Sequence, residues 1–148
     1  ILTQKKLLDY PILFLSKYIV DNKEDYYKEL RNVSQFGAWK SWIIYMLKAV
    51  EFTANLTYQK INDILSIKDI ILAVIEKETD IRRPDVLVKM IFTQPFTRVK
   101  HMVGSGFFAE NTARIYLNRL TEMNILEKRI IQGHHYYLNL ELYRILSE

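Results

Sequence analysis

The sequence predicts a mainly α chain, a helical bundle followed by a small domain that contains one β-hairpin. Three observations predict it. After Ala109, the residues Ala113, Tyr116, Leu117, Leu120 and Met123 recur at three- and four-residue steps, which places them on one helix face. Ile125-Leu126, Ile130-Ile131 and His135-Tyr136-Tyr137-Leu138 are short apolar runs broken by Gln132-Gly133, the pattern of two strands and a tight turn. Before them, no Gly or Pro falls between Gly37 and Pro84, and the apolar residues there keep a helical period. Helix, strand, turn and strand in this order form the recognition helix and wing of a winged helix-turn-helix domain.

Composition bounds the partners. The chain has 148 residues, 49% of them apolar, enough for one domain or two small ones with a real core. It contains no Cys, which excludes disulfides and Cys-based zinc sites and fits a cytoplasmic protein. No apolar run approaches the roughly 18 residues that span a bilayer, so no membrane partner is expected. The sequence opens on Ile1-Leu2 without a basic-then-apolar leader and reads as starting inside a longer chain. Net charge is +4, and residues 86–148 hold eight basic and five acidic side chains. That balance permits a nucleic-acid partner without demanding one.

Taken in order, Leu7 to Val20 reads as a buried helix with Pro11 in its first turn. Asp21 and Glu24 have the spacing of a capping box for the next helix, whose inner face is Tyr26, Tyr27, Leu30 and Val33 and which Gly37 ends. A third helix opens at Trp39 and Trp42 and runs on through Phe52, with a kink expected near Asn55 to Tyr58. Its later part carries Ile61, Ile64, Ile71 and Ile75 on one stripe, either a wall of an intrachain bundle or the seam of a homo-oligomer. The charged segment Glu78 to Asp85, with Pro84, is the expected boundary between domains 1–84 and 85–148. Asp85 is placed to cap a helix from Val86 to Phe92. Gln94-Pro95-Phe96 reads as a turn and Arg98 to Val103 as a short helix. Gly104-Ser105-Gly106 reads as a sharp turn before Phe107 and Phe108, both expected to plug the core. Asn124 is the stop of the recognition helix, and Asn139 to Leu146 is a closing helix.

The candidate DNA-reading set is Asn111, Arg114, Asn118 and Arg119, with Ile115 among them. Arg forks onto guanine and Asn onto adenine in the major groove. Arg98, Lys100, Lys128, Arg129 and His134 are candidates for phosphate contacts, which position a protein without specifying sequence. Glu110 and Ala109 at the helix start, and the modest net charge, speak against DNA. A winged helix turned to protein contacts is therefore the alternative. Glu76 with Asp80 reads as a solvated face. His134 and His135 are adjacent on a strand, point to opposite sides and should not share a metal.

Two blocks resemble one family. LLDYPILFLSKYIVDNKEDYYKELRNV, followed by W-x-x-W-I-I-Y-M-L-K-A-V-E-x-T-A, is similar to the segment after the active-site motif of the Fic (filamentation induced by cAMP) family. T-A-R-x-Y-L-N-R-L-T-E-M-N-I-L resembles the winged helix that often follows the Fic domain in bacterial proteins. The resemblance implies a parent that transfers AMP from ATP, with Mg, to a hydroxyl of a target protein. Its motif, H-P-F-x-x-G-N-G-R, is missing from this sequence: His101, His134 and His135 are not followed by Pro-Phe. No catalytic residue and no cofactor is therefore expected in this chain, and the motif is expected upstream of Ile1. Two functions remain in view. One is a DNA-binding or regulatory module; the other is a protein-interaction or dimerisation scaffold for the catalytic domain.

Overall fold

The computed structural model describes residues 14–147. The elements run α1 (Ser16–Asp21), α2 (Lys23–Phe36), α3 (Trp39–Glu78), α4 (Pro84–Ile91), β1 (Phe96–Thr97), α5 (Val99–Gly104), α6 (Glu110–Glu122), β2 (Leu126–Ile131), β3 (His134–Asn139) and α7 (Leu140–Ser147). The chain divides into two compact units, Ile1–Ile61 and Asn62–Glu148. The mainly helical class expected from periodicity is what the chain adopts.

In the first unit, α1 and α2 are separated by Asn22 alone. The Asp21–Glu24 capping box does not form. Asn22 occupies the cap position, and its Nδ2 donates to the Tyr18 carbonyl at 2.9 Å. So short a link leaves one side chain between two helix ends, and it serves the α1 carbonyl rather than an α2 N–H. Of the helix expected from Leu7, residues 7–13 lie outside the described residues. Gly37 ends α2 at φ 65, a left-handed position that costs Gly nothing. Aromatic rings join the helices: Tyr18 meets Tyr45 at 5.5 Å and Phe52 at 5.4 Å, and Tyr26 meets Trp42 at 5.5 Å. Burial, and then the neighbouring Tyr18, Asp25 and Tyr26, raise the Tyr45 phenol above its ordinary pKa.

α3 runs unbroken for 40 residues, with no interruption where a kink was expected. Thr57 is absorbed there, since its hydroxyl donates back to the Thr53 carbonyl at 2.8 Å and needs no break in the ladder.

The second unit packs around Ile75, Leu87, Val88, Ile91, Met102, Phe108, Ala113, Leu117, Leu120, Leu126 and Tyr137, with Ile71 and Leu72 against them. The last turns of α3 thus lie in the same core as the elements after Pro84. Between α3 and α4, Arg83 takes a left-handed conformation at φ 59 and Pro84 occupies the first helical position. Asp85 falls inside the first turn, and its side chain makes no cap. Pro84 opens the helix instead, because its missing N–H is one the helix start leaves unbonded anyway. Gly106, at φ 77, turns the chain before α6, and Phe108 is buried while Phe107 is 52% exposed. Only one of the two rings therefore plugs the core.

The sheet has three antiparallel strands in the order β1-β3-β2. Leu126 stands opposite Asn139 and Ile131 opposite His134. Gln132 and Gly133, at φ 50 and 74, form the two-residue turn whose twist suits a hairpin. The segment expected as a turn at Phe96 is instead a two-residue strand, with Phe96 opposite Leu138 and Thr97 opposite Tyr137. Helix, short strand, two helices and a hairpin, α4 to β3, make a winged helix-turn-helix. α7 closes it through buried Leu142 and Ile145.

Among the described residues, no helix is long and apolar enough to cross a membrane, and no group of three or more His, Cys, Asp or Glu stands together to hold a metal.

Candidate nucleic-acid interface

α6 turns Ala113, Leu117 and Leu120 inward. Asn124 follows at φ 57, and the Ile125 N–H reaches back to the Leu120 carbonyl at 2.9 Å, so the chain leaves the helix directly into β2. This end fixes the wing beside the helix. The outward face of α6 carries Asn111, Arg114, Ile115 and Arg119, all exposed.

The cations on this face have local partners. Arg114 Nη2 lies 2.8 Å from Glu110 Oε1, and Arg119 Nη1 lies 3.2 Å from Glu122 Oε2. On the wing, Arg129 grips Glu127 with two bonds of 2.8 and 3.3 Å, because residues two apart share one side of a strand. The Arg129 hydrogen bond holds the Glu127 carboxyl below its ordinary pKa, and Glu127 holds the guanidinium above its own. These pairs are solvent-exposed, so each is worth little.

Asn118 is placed differently from its sequence neighbours. It is half-buried, and its Oδ1 accepts from the Tyr137 hydroxyl at 2.9 Å and from Lys128 Nζ at 3.2 Å. The Lys128 ammonium also lies 5.6 Å from the centre of the Tyr137 ring. Helix and wing are thus joined at one point by a buried phenol, an amide and an ammonium. Sequence spacing gives Asn118 and Lys128 as candidates but not their contact, and marks Tyr137 only as a strand residue.

The remaining candidates lie on other elements. Arg98 places its guanidinium 4.9 Å from the centre of the Tyr136 ring. Lys100 is exposed on α5. His134 and His135 are both exposed, opposite Ile131 and Ile130 across the hairpin. His101 has no role by sequence, since no Pro-Phe follows it, but the structure gives it a partner. Its Nδ1 lies 3.1 Å from Gln94 Nε2, and burial, with Lys100 and Arg98 nearby, lowers its pKa from the ordinary value. Arg82 and Arg83, within the segment read as a boundary, are engaged as well. The Arg82 N–H donates to the Tyr116 hydroxyl at 3.2 Å, and Arg83 stacks on Phe107 at 4.7 Å. The positive φ at a non-glycine residue is the feature that singles out Arg83, and no spacing rule shows it.

Exposed apolar side chains share the surface. Ile115 on α6 is 64% exposed and Ile130 on the wing 67%.

A family model described as the C-terminal domain of SoFic-like protein adenylyltransferases matches residues 68–142. The match runs from the later part of α3 into α7 and takes in the whole winged helix, while the first of the two blocks that resemble Fic proteins lies outside it. With its winged helix and this match over half its length, the chain belongs to the family of SoFic-like protein adenylyltransferase C-terminal domains, a C-terminal portion of a Fic-family protein.

Proposed function

We propose that these 148 residues are an accessory part of a Fic-type protein adenylyltransferase, and that their winged helix binds duplex DNA. AMP transfer from ATP, with Mg, to a target hydroxyl is assigned to the parent. The His-Pro-Phe motif that such transfer uses does not occur in this sequence, so the accessory part is read as non-catalytic. The reading carries with it a cytoplasmic location, where ATP and duplex DNA are both present.

One observation carries the DNA reading: α6 and the wing are fixed side by side, with Asn111, Arg114, Arg119 and Lys128 turned to solvent. A helix about 20 Å long, at 1.5 Å per residue, fits the major groove with a wing over the backbone. Arg98, Lys100, Lys128 and Arg129 supply phosphate contacts. Three or four such contacts give a slope of about −3 to −4 for log affinity against log salt.

A second reading has its own observation. Ile115 and Ile130 are the most exposed apolar side chains of the face, and Arg114 and Arg119 are each neutralised within the helix. Such a surface suits a protein partner. A fluorescence-anisotropy titration of labelled duplex at about 50 and 200 mM salt separates the two. The DNA reading expects binding with the slope above. Absence of binding at the lower salt would reject it and leave the protein-facing surface.

A further inference from the structure

We infer that Asn118 is a positioning residue that holds the wing lysine ready for a phosphate, and that it reads no base. The inference rests on the DNA reading above and concerns how that face engages the duplex.

Reading adenine takes both ends of an asparagine amide. The oxygen accepts from the base N6 amino group while the nitrogen donates to N7. A carbonyl oxygen has two lone pairs. On Asn118 both are used, by the Tyr137 hydroxyl at 2.9 Å and by Lys128 Nζ at 3.2 Å. Turning the amide toward a groove would strand the hydroxyl of Tyr137, a residue with only 1% of its surface exposed. An unmade bond at a buried phenol is costly, which keeps the oxygen where it is.

The same contact prepares Lys128. Its ammonium has three donors, and Asn118 takes one. The Tyr137 ring lies beneath it. A lysine ordinarily searches many rotamers, and the entropy of fixing them weakens any contact it makes. Here that ordering is done before DNA arrives, and two donors remain for phosphate oxygens. Lys128 is on the wing and Asn118 on α6, so the bond also sets the distance between the groove-facing helix and the backbone-facing strand.

The test is a double-mutant cycle on the full chain, read on a panel of duplexes that differ in A·T placement. Lys128→Ala should weaken binding to every duplex by about the same factor and lower the salt slope by roughly one. Asn118→Ala leaves the Lys128 charge in place, so it should weaken every duplex about three- to tenfold with the ranking unchanged and the slope changed by less than one. Combined, the two changes should cost no more than Lys128→Ala alone, because they remove one interaction. Tyr137→Phe leaves Asn118 and Lys128 joined and should alter binding less than about twofold. If Asn118→Ala fails to fold, Asn118→Ala with Tyr137→Phe leaves no hydroxyl stranded and serves in its place. A changed ranking of duplexes in Asn118→Ala would overturn the inference alone. So would losses that multiply in the double mutant. Failure of the wild type to bind any duplex would overturn the DNA reading, and this inference with it.

Discussion

The two units of the chain solve the burial problem differently. In the winged helix, Leu87, Val88, Ile91, Ala113, Leu117 and Leu120 have no exposed surface at all. Among the described residues of the first unit, the buried ones are Tyr45, Ala49 and Thr53, and two of these three are small. Its helices meet through rings tilted against one another by 52–58°, while Phe36, Leu47 and Tyr58 are 77, 62 and 68% exposed. Close-packed aliphatic side chains lose contacts on every side when one is cut, whereas a half-exposed ring loses only one side. The winged helix should therefore respond sharply to a single truncation and the first unit mildly.

Leu117→Ala is the strongest way to test that contrast. It removes a fully buried side chain from the centre of α6 and should cost about 2–5 kcal/mol, a large part of a small domain's stability. Both tryptophans, Trp39 and Trp42, lie in the first unit, so their fluorescence reports on that unit, while methyl signals of Leu87 and Leu120 report on the second. The methyl transition should move and the tryptophan transition should not. Equal movement of both would dissolve the contrast.

Tyr26→Ala is the counterpart. Tyr26 meets Trp42 at a tilt of 57° and also meets Tyr27 and Tyr45, but it stays half-buried. The loss should be about 1–2 kcal/mol, visible in tryptophan emission and silent in the Leu87 methyl signal. A larger loss than that of Leu117→Ala would reverse the ordering.

The smallest effect is set by pH and sharpens the picture of the second unit alone. His101 has a lowered pKa when folded, so the unfolded chain takes up its proton first as pH falls. The contribution of neutral His101 is present above the ordinary histidine value and fades as pH drops from there through the folded value. Protonation at Nδ1 also ends acceptance from Gln94 Nε2. Between pH 8 and pH 5 the second unit should melt slightly lower at the acid end, and His101→Gln should remove that difference. Glu127 does not confuse the measurement. Its folded pKa is depressed, so its contribution is lost only as pH falls below the ordinary carboxylate range. A melting temperature flat across this window in the wild type would refute the assignment.

What could be read from sequence follows from how local each signal is. Gly37, Asn124 and Gln132-Gly133 were legible because a left-handed residue after a periodic stretch marks an end by itself. The inward stripe Ala113, Leu117 and Leu120 was legible for the same reason: its period lies within one helix. β1 was not, since two residues have no period and their partners lie some forty positions later in β3. Arg83 was not, because nothing local favours a left-handed arginine. At the candidate interface, spacing placed Asn111, Arg114 and Arg119 on the exposed face. The pairing of Arg114 with Glu110 lay open to an i, i+4 reading. The engagement of Asn118 was hidden, because its two partners are ten and nineteen residues away.

Asn139 shows how these parts fail together. It is 1% exposed, its N–H bonds the Pro95 carbonyl, its Nδ2 bonds the Ile91 carbonyl, and its Oδ1 accepts the Leu142 N–H. One residue therefore ends β3, anchors the chain before β1, holds the last turn of α4 and caps α7. A helix of only eight residues would ordinarily fray many times faster than the domain opens. Here the Leu142 amide can meet solvent deuterium only when that junction separates. Its exchange should keep pace with the slowest amides of α6, so the last helix of this chain opens on the clock of the whole domain.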